Sequence, residues 1–321
     1  MNIKILFKVV TFYARFTPSY TKIGYFARRL AWGRSKPLDF SGQRWLITGA
    51  SAGIGKAMMH AAALAGAEVV AVASNQQRLD AAIDELARSA AGRVTPMVAD
   101  MSLQSATQEL LKGLLASGRK FDVLQNNLGI LLTDMTITSE GREATFVINL
   151  LSHFLLTEGL VDGGAFNDGA VVVNMTSGGM YTVPLGLRAL NTTTEKYYDG
   201  KYSYAHAKRA QVALTGYWNE KYKASGPAFY VTHPGWAKTP GVKQALPVFW
   251  KIQNLILRTP LQGADTALWL CAKRPPVGDE EVVWFDRAPR STHMYPATKA
   301  AKCTVEELVT YLRDELSKQA A

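Results

Sequence analysis

The sequence predicts an α/β fold: a doubly wound parallel sheet of about seven strands with helices on both faces. Two observations carry this. From residue 45 onward, short apolar runs alternate with alanine-rich or amphipathic segments of helical length. The apolar runs also lack the apolar–polar alternation of a half-exposed sheet, so both of their faces are expected to be buried. A sheet whose strands are joined through helices is parallel, and its crossovers are right-handed.

Taken in order, strands are expected at 45–48, 68–73, 94–99, 121–124, 170–175, 228–232 and 282–285. Helices fall between them at 53–66, 78–91, 103–117, 140–161, 202–224, 242–257 and 262–273. Gly92 serves as the stop signal after the second of these. A last helix begins after Thr304, with Glu306 and Glu307 in its first turn, where the helix dipole favours acids. Pro37 and the stretch 38–42 mark a boundary, giving an N-terminal extension over 1–40 and a single domain over 41–321.

Composition excludes several classes. Of the 321 residues, 48% are hydrophobic, too many for a disordered chain. Cys271 and Cys303 are the only cysteines, so there is no disulfide framework. No window of about 18 residues is free of charge, so no ordinary membrane span is expected. The net charge of +10 is concentrated: residues 1–44 hold nine cations and one acid, and the remainder is nearly neutral. A surface of that kind offers no phosphate-tracking groove, and no nucleic-acid partner is expected. His60, His153, His206, His233 and His293 form no ligand-spaced cluster with cysteine or carboxylate, so no catalytic metal is expected.

The extension itself is patterned. Lys4, Lys8, Thr11 and Arg15 share one helical face, while Ile3, Leu6, Phe7, Val10 and Ala14 lie on the other. Tyr25, Phe26 and Trp32 then alternate with Arg28, Arg29 and Arg34. Contact with an anionic membrane surface through residues 2–34 fits this pattern. A helix packed on its own domain or on a second subunit fits it too, as does a targeting segment. Low serine content and the lack of a small-residue cleavage site argue against secretion. An intracellular location, cytoplasmic or organellar, is therefore expected.

The first strand runs into Thr48-Gly49-Ala50-Ser51-Ala52-Gly53-Ile54-Gly55. A strand that turns sharply into a helix, with its backbone close to a pyrophosphate, has no room for side chains at such glycines. The helix N-terminus then offers unpaired N–H groups to phosphate. This strand–turn–helix context marks a Rossmann-type dinucleotide site. Tyr204 and Lys208, four apart on a helix, share a face. A unit charge ~4 Å from the phenol is worth ~4 kcal/mol at an effective dielectric of ~20, enough to draw it down towards neutral pH.

The spacing TGxxxGxG resembles that of the classical short-chain dehydrogenase/reductase family. Five further elements resemble the family's motifs in the same order over about 190 residues: Asn126-Asn127-Leu128-Gly129, Asn149, Ser177, Tyr204-x-x-x-Lys208 and Pro234-Gly235-x-x-x-Thr239. Leu128 stands where the family has alanine. The resemblance implies a catalytic set of Asn149, Ser177, Tyr204 and Lys208. Ser177 would hold the substrate oxygen, Tyr204 would exchange its proton, Lys208 would lower the tyrosine pKa and bind ribose, and Asn149 would hold a relay water. It implies cofactor contacts at Gly49, Ser51, Gly53, Ile54, Gly55, Ser74, Asn75, Asp100, Asn127, Gly129, Tyr204, Lys208, Pro234, Gly235 and Thr239.

No acid occurs from Val69 to Leu79, where NAD-preferring members carry one for the ribose hydroxyl, so NADP(H) is expected in preference to NAD(H). The wording around Ser177, Tyr204, His233 and Gln262 resembles the member-12 branch of these dehydrogenase/reductases, near the retinol-dehydrogenase-like reductases. That implies a small-molecule carbonyl or alcohol of lipophilic character. The segment between Ser177 and Tyr204 is read either as a wall of an apolar pocket or as a surface excursion. Residues 242–257 are read as a substrate lid or an interface. Relatives pair through their two long helices, so a homodimer is an expectation. A cofactor-binding redox sensor and a peripheral membrane adaptor with little turnover are the competing classes.

Overall fold

The computed structural model describes residues 15–33, 37–86, 90, 93–278 and 281–318. Most of the amphipathic helix expected at 2–16 therefore lies outside the described residues. The parallel strands are β1 (Arg44–Thr48), β2 (Glu68–Ala73), β3 (Val94–Val98), β4 (Phe121–Asn126), β5 (Phe166–Met175), β6 (Ala228–Thr232) and β7 (Val282–Phe285). An eighth, β8 (Ala288–Ser291), pairs antiparallel with β7 at one edge. The order is β3-β2-β1-β4-β5-β6-β7-β8, so it reverses between β1 and β4. In open α/β sheets, ligands bind outside the carboxyl ends of the strands at such a reversal.

Among the helices, α1 (Lys22–Arg29) precedes the sheet, and α2 (Gly53–Leu64), α3 (Gln76–Asp84) and α4 (Gln104–Ala116) lie within its first half. Then come α5 (Ala144–Asp162), α6 (Gly200–Lys221), α7 (Pro240–Ala245), α8 (Pro247–Gln253), α9 (Pro260–Lys273) and α10 (Val305–Ser317). The alanines of α2 and α9 let both helices press closely on one face of the sheet, where Trp45, Ile47, Ala62, Ala264 and Leu270 are wholly buried. On the other face α4, α5, α6 and α10 pack Leu46, Leu124, Phe154, Leu214 and Leu312. Helix α5 is long and apolar enough to cross a membrane, but 78% of that stretch is buried inside the protein, so it is a core helix.

The structure departs from the sequence reading at four places. The segment expected as one helix over 242–257 is two, because Pro247 lacks the N–H needed to continue α7 and instead starts α8. Helix α5 begins at Ala144 rather than 140: Gly141 turns at φ +74°, and Glu143 accepts the N–H groups of Thr145 and Phe146. Strand β8 had no turn signal, since Asp286 and Arg287 make the left-handed hairpin turn without glycine. The cap of α4 is not local: its first N–H groups donate to Glu140, at 2.6 and 3.0 Å.

Of the N-terminal extension, residues 15–33 are strapped to the domain. Phe16 and Tyr20 sit in a third cluster with Met180, Tyr181, Val231 and Phe285. Fully burying rings of this size is worth about 1.5–3 kcal/mol each. The Tyr20 carbonyl accepts Trp236 N–H at 2.8 Å and Arg258 Nε at 2.9 Å. Asp286 pairs with Arg258 at 2.6 Å and with Arg28 at 2.5 Å.

Candidate active site

The turn from β1 into α2 is built for close backbone approach. Gly49 has φ +69° and Gly53 φ +55°, a region that L side chains rarely adopt. A Cβ at Gly55 would collide with the Gly49 carbonyl oxygen. Ser51 and Ile54 are half-buried in the same turn. Beneath it, the Thr48 hydroxyl accepts the N–H groups of Asn127 and Leu128 at 3.1 and 3.0 Å, and Asn127 Nδ2 donates to the Thr48 carbonyl at 2.9 Å. The Asn127 side chain thus braces the two strand ends at the sheet reversal. This bare turn ahead of α2 fits a dinucleotide pyrophosphate. Ser74 and Asn75 follow β2, both exposed; Asn75 also caps α3 by accepting Arg78 N–H at 2.8 Å. Asp100 is exposed after β3 and accepts Ser102 N–H at 3.0 Å.

Helix α6 carries Tyr204 and Lys208 past the end of β5. Lys208 is buried, donates to the Met175 carbonyl at 2.9 Å, and stands 5.6 Å from the centre of the Tyr204 ring. A Cβ at Gly129 would lie 2.9 Å from Asn149 Oδ1 and 3.1 Å from Lys208 Nζ. The glycine therefore lets the amide oxygen and the ammonium converge on one point beside the β4 loop. Asn149 sits in a π-turn over Val147–Leu151, a distortion common at functional sites. Its Nδ2 donates to the carbonyls of Ile130 and Thr145, each at 2.8 Å, and its Oδ1 accepts Ile130 N–H at 3.1 Å.

The electrostatics differ from the sequence expectation. Burial raises the Tyr204 pKa, and a hydrogen bond with the Ser177 hydroxyl is what opposes the rise. Burial also lowers Lys208, to about 7. The dehydration of both groups outweighs the attraction that spacing alone suggested. Ser177 caps the short 3-10 turn Gly178–Thr182 and accepts Gly179 N–H at 3.5 Å.

The far side of the site is the loop after β6. Gly235 has φ +70° and donates its N–H to His233 Nδ1 at 2.8 Å. Pro234 is half-buried beside it. The Thr239 hydroxyl caps α7, accepting Val242 N–H at 3.2 Å. A Cβ at Gly53 would lie 3.1 Å from Thr239 Cγ2, so the glycine turn and this loop pack directly against each other. The structure thus gathers Asn149, Ser177, Tyr204, Lys208, Gly129 and Thr239 around the glycine turn. Ser74, Asn75 and Asp100 stand apart, exposed just beyond the ends of β2 and β3.

Several supporting residues gave no sequence signal. Gln211 Nε2 donates to the Asn149 backbone carbonyl at 2.8 Å and lies 2.9 Å from His153 Nδ1. Burial holds His153 neutral, with its pKa down to about 3, helped by the charge of Lys208. Buried Glu143 also bonds Ser203 at 3.1 Å and Tyr198 at 3.2 Å, tying the N-terminus of α6 to that of α5. Tyr20 and His233 pack under the serine turn: a Cβ at Gly178 would lie 3.3 and 3.2 Å from them. In the 180–198 segment, Met180, Tyr181, Val183 and Leu190 are buried in the core, whereas Tyr197 is exposed. A cleft of about 690 Å³ lies along the second half of α6, away from Tyr204. Among the described residues no three His, Cys, Asp or Glu gather as a metal site.

A glycine-lined turn at the sheet reversal, facing a phenol–ammonium pair, defines a nicotinamide-dependent oxidoreductase. Residues 43–247 match the family described as short chain dehydrogenase. Human dehydrogenase/reductase SDR family member 12 is 31% identical over 316 residues, 98% of each chain. Bovine retinol dehydrogenase 12 is 30% identical over 227 residues, 70% of this chain and 71% of its own. A short chain dehydrogenase from Burkholderia cenocepacia, solved in complex with NADP, superimposes with a TM-score of 0.59 at 21% identity, over 74% of this chain and 92% of that one. The chain belongs to the short-chain dehydrogenase/reductase family, and it is an NAD(P)-dependent oxidoreductase.

Proposed function

We propose that the protein reduces a lipophilic carbonyl compound, and oxidises the matching alcohol, with NADP(H) in preference to NAD(H). The observation that carries this reading is the Ser177 hydroxyl hydrogen-bonded to Tyr204, with Lys208 one turn further along α6. Gly49, Ser51, Gly53, Ile54 and Gly55 hold the pyrophosphate, Lys208 the nicotinamide ribose, and Pro234, Gly235 and Thr239 the nicotinamide end. When bound there, the nicotinamide supplies or accepts the hydride.

The chain's own part is the proton. Ser177 hydrogen-bonds the substrate oxygen. Tyr204 gives its phenolic proton to that oxygen on reduction and takes it back on oxidation. Burial keeps Tyr204 protonated, the form a reductase needs. Lys208 and Asn149, converging at Gly129, carry the replacement proton through a water.

Support for NADP(H) is the lack of any carboxylate between Val69 and Leu79, which leaves nothing to repel a 2′-phosphate, and the NADP-bound relative. Support for a lipophilic substrate is the retinol dehydrogenase relative. We place the protein inside the cell, on an anionic membrane surface, where its two free thiols stay reduced. A second copy pairing through α5 and α6 would first meet α10, whose Leu308, Val309 and Leu312 pack with Phe154 of α5 and Leu214 of α6. The molecular mass in solution tests the homodimer.

The deciding experiment offers NADPH and NADH with lipophilic aldehydes and ketones, in detergent, to wild type and Tyr204→Phe. NADPH-dependent turnover lost in the variant supports the reading. Cofactor binding without turnover across the panel would favour a redox sensor.

A further inference from the structure

Helix α1 and helix α8 are joined: Lys22 N–H donates to the Ile256 carbonyl at 2.9 Å, and Trp236 links Tyr20 to Phe249 through ring contacts. Each presents apolar side chains to solvent. On α1 and just beyond it, Ile23, Phe26 and Leu30 follow helical spacing, and Leu30 is 89% exposed. On α8 and the turn after it, Val248 and Ile252 lie on one face with Leu255 beyond, the last two 73% and 80% exposed. All of these side chains stand in solvent.

The charges carried by these two segments have one sign. Residues 15–33 and 238–264 contain no aspartate or glutamate. Arg29, Lys243 and Lys251 are exposed, and no ion pair among the described residues engages them. Apolar tips ringed by uncompensated cations match an anionic bilayer, whose headgroups take the cations while the tips enter the acyl boundary. Location adds to the argument: α7 and α8 follow Thr239, whose side chain packs against Gly53 of the glycine turn. The segment that carries this face therefore starts beside the glycine turn.

We propose that α1, α8 and the turn at 254–256 form one docking surface for an anionic lipid bilayer, holding the cleft against the membrane so that a lipid-dissolved carbonyl enters directly. The substrate half of this proposal rests on the activity proposed above; the docking half deepens the membrane placement proposed there and is read without turnover.

The test attaches an environment-sensitive NBD label to the full chain at Ile252→Cys, in a Cys303→Ser background. A companion label sits at Leu64→Cys, at the end of α2 far from the site. Vesicles of phosphatidylcholine with phosphatidylserine, with and without spin-labelled lipid, are compared with pure phosphatidylcholine. The expected result is a several-fold rise in emission at 252, quenched by the spin label, absent at 64 and reduced on neutral vesicles. A label at 252 that stays solvent-like while the protein is vesicle-bound assigns contact to another segment and overturns the proposal. Lack of vesicle binding also overturns it. So does a concentration-dependent shift at 252 without vesicles, which would assign the face to a second copy. Failed hydride transfer shows separately, in the Tyr204→Phe assay in detergent.

Discussion

The Lys208 ammonium donates to the carbonyl of Met175, the last residue of β5, at 2.9 Å in a buried position. Because burial lowers Lys208 to about 7 from its usual 10.5, the unfolded chain holds one more proton than the folded one between those values. The stability of the cofactor-free protein therefore rises with pH across that window, by up to about 1.4 kcal/mol per pH unit from this group. Lys208→Met removes that slope, as denaturant unfolding at pH 7.5 and 9 would show. An unchanged slope would refute the assignment.

His153 and His233 are each held neutral by burial, with pKa values pushed down to about 3 from 6.5. The unfolded chain binds the extra protons, so stability is lost as pH falls below about 6.5. At pH 5 each costs about 2 kcal/mol. His153→Gln is expected to be less acid-labile than wild type relative to its own stability at pH 7.5; thermal melts at the two pH values measure this.

Gly129→Ala inserts a methyl group 2.9 Å from Asn149 Oδ1 and 3.1 Å from Lys208 Nζ. The expected outcome is a fall in kcat of about tenfold or more, with NADPH binding weakened less because the pyrophosphate turn is untouched and only the ribose contact of Lys208 is disturbed. Gly55→Ala does the reverse: its methyl group strikes the Gly49 carbonyl, and NADPH binding is lost first. Cofactor titration beside steady-state kinetics separates the two.

Asp286→Asn strips the partner from buried Arg258, which is 1% exposed, and is expected to cost about 3–5 kcal/mol. Arg28→Met removes a pair whose arginine is 26% exposed, and is expected to cost about 1 kcal/mol. Equal losses on chemical denaturation would contradict the structure.

What the sequence made legible is local. The glycine turn, the Tyr204–Lys208 spacing and the apolar strands are each written within a few adjacent residues, so period and spacing reveal them. What stayed hidden is held over distance: Glu140 capping α4 from 36 residues away, Gln211 reaching Asn149 across 62, and Tyr20 bonding Arg258 across 238. The direction of the Tyr204 shift was missed for a related reason. Spacing reports the neighbouring charge but not the depth at which both groups lie.

The clamp between Arg28 and Asp286 spans 258 positions in the chain. At synthesis rates of about 5–20 residues per second, roughly 13–50 s separate the emergence of the two residues from the ribosome. Through that interval the strap has no clamp to close on, because its counter-ion does not yet exist. The basic, aromatic-rich strap is made long before Asp286 and can be locked only after it, so the order of synthesis leaves its seat on the domain to be completed last.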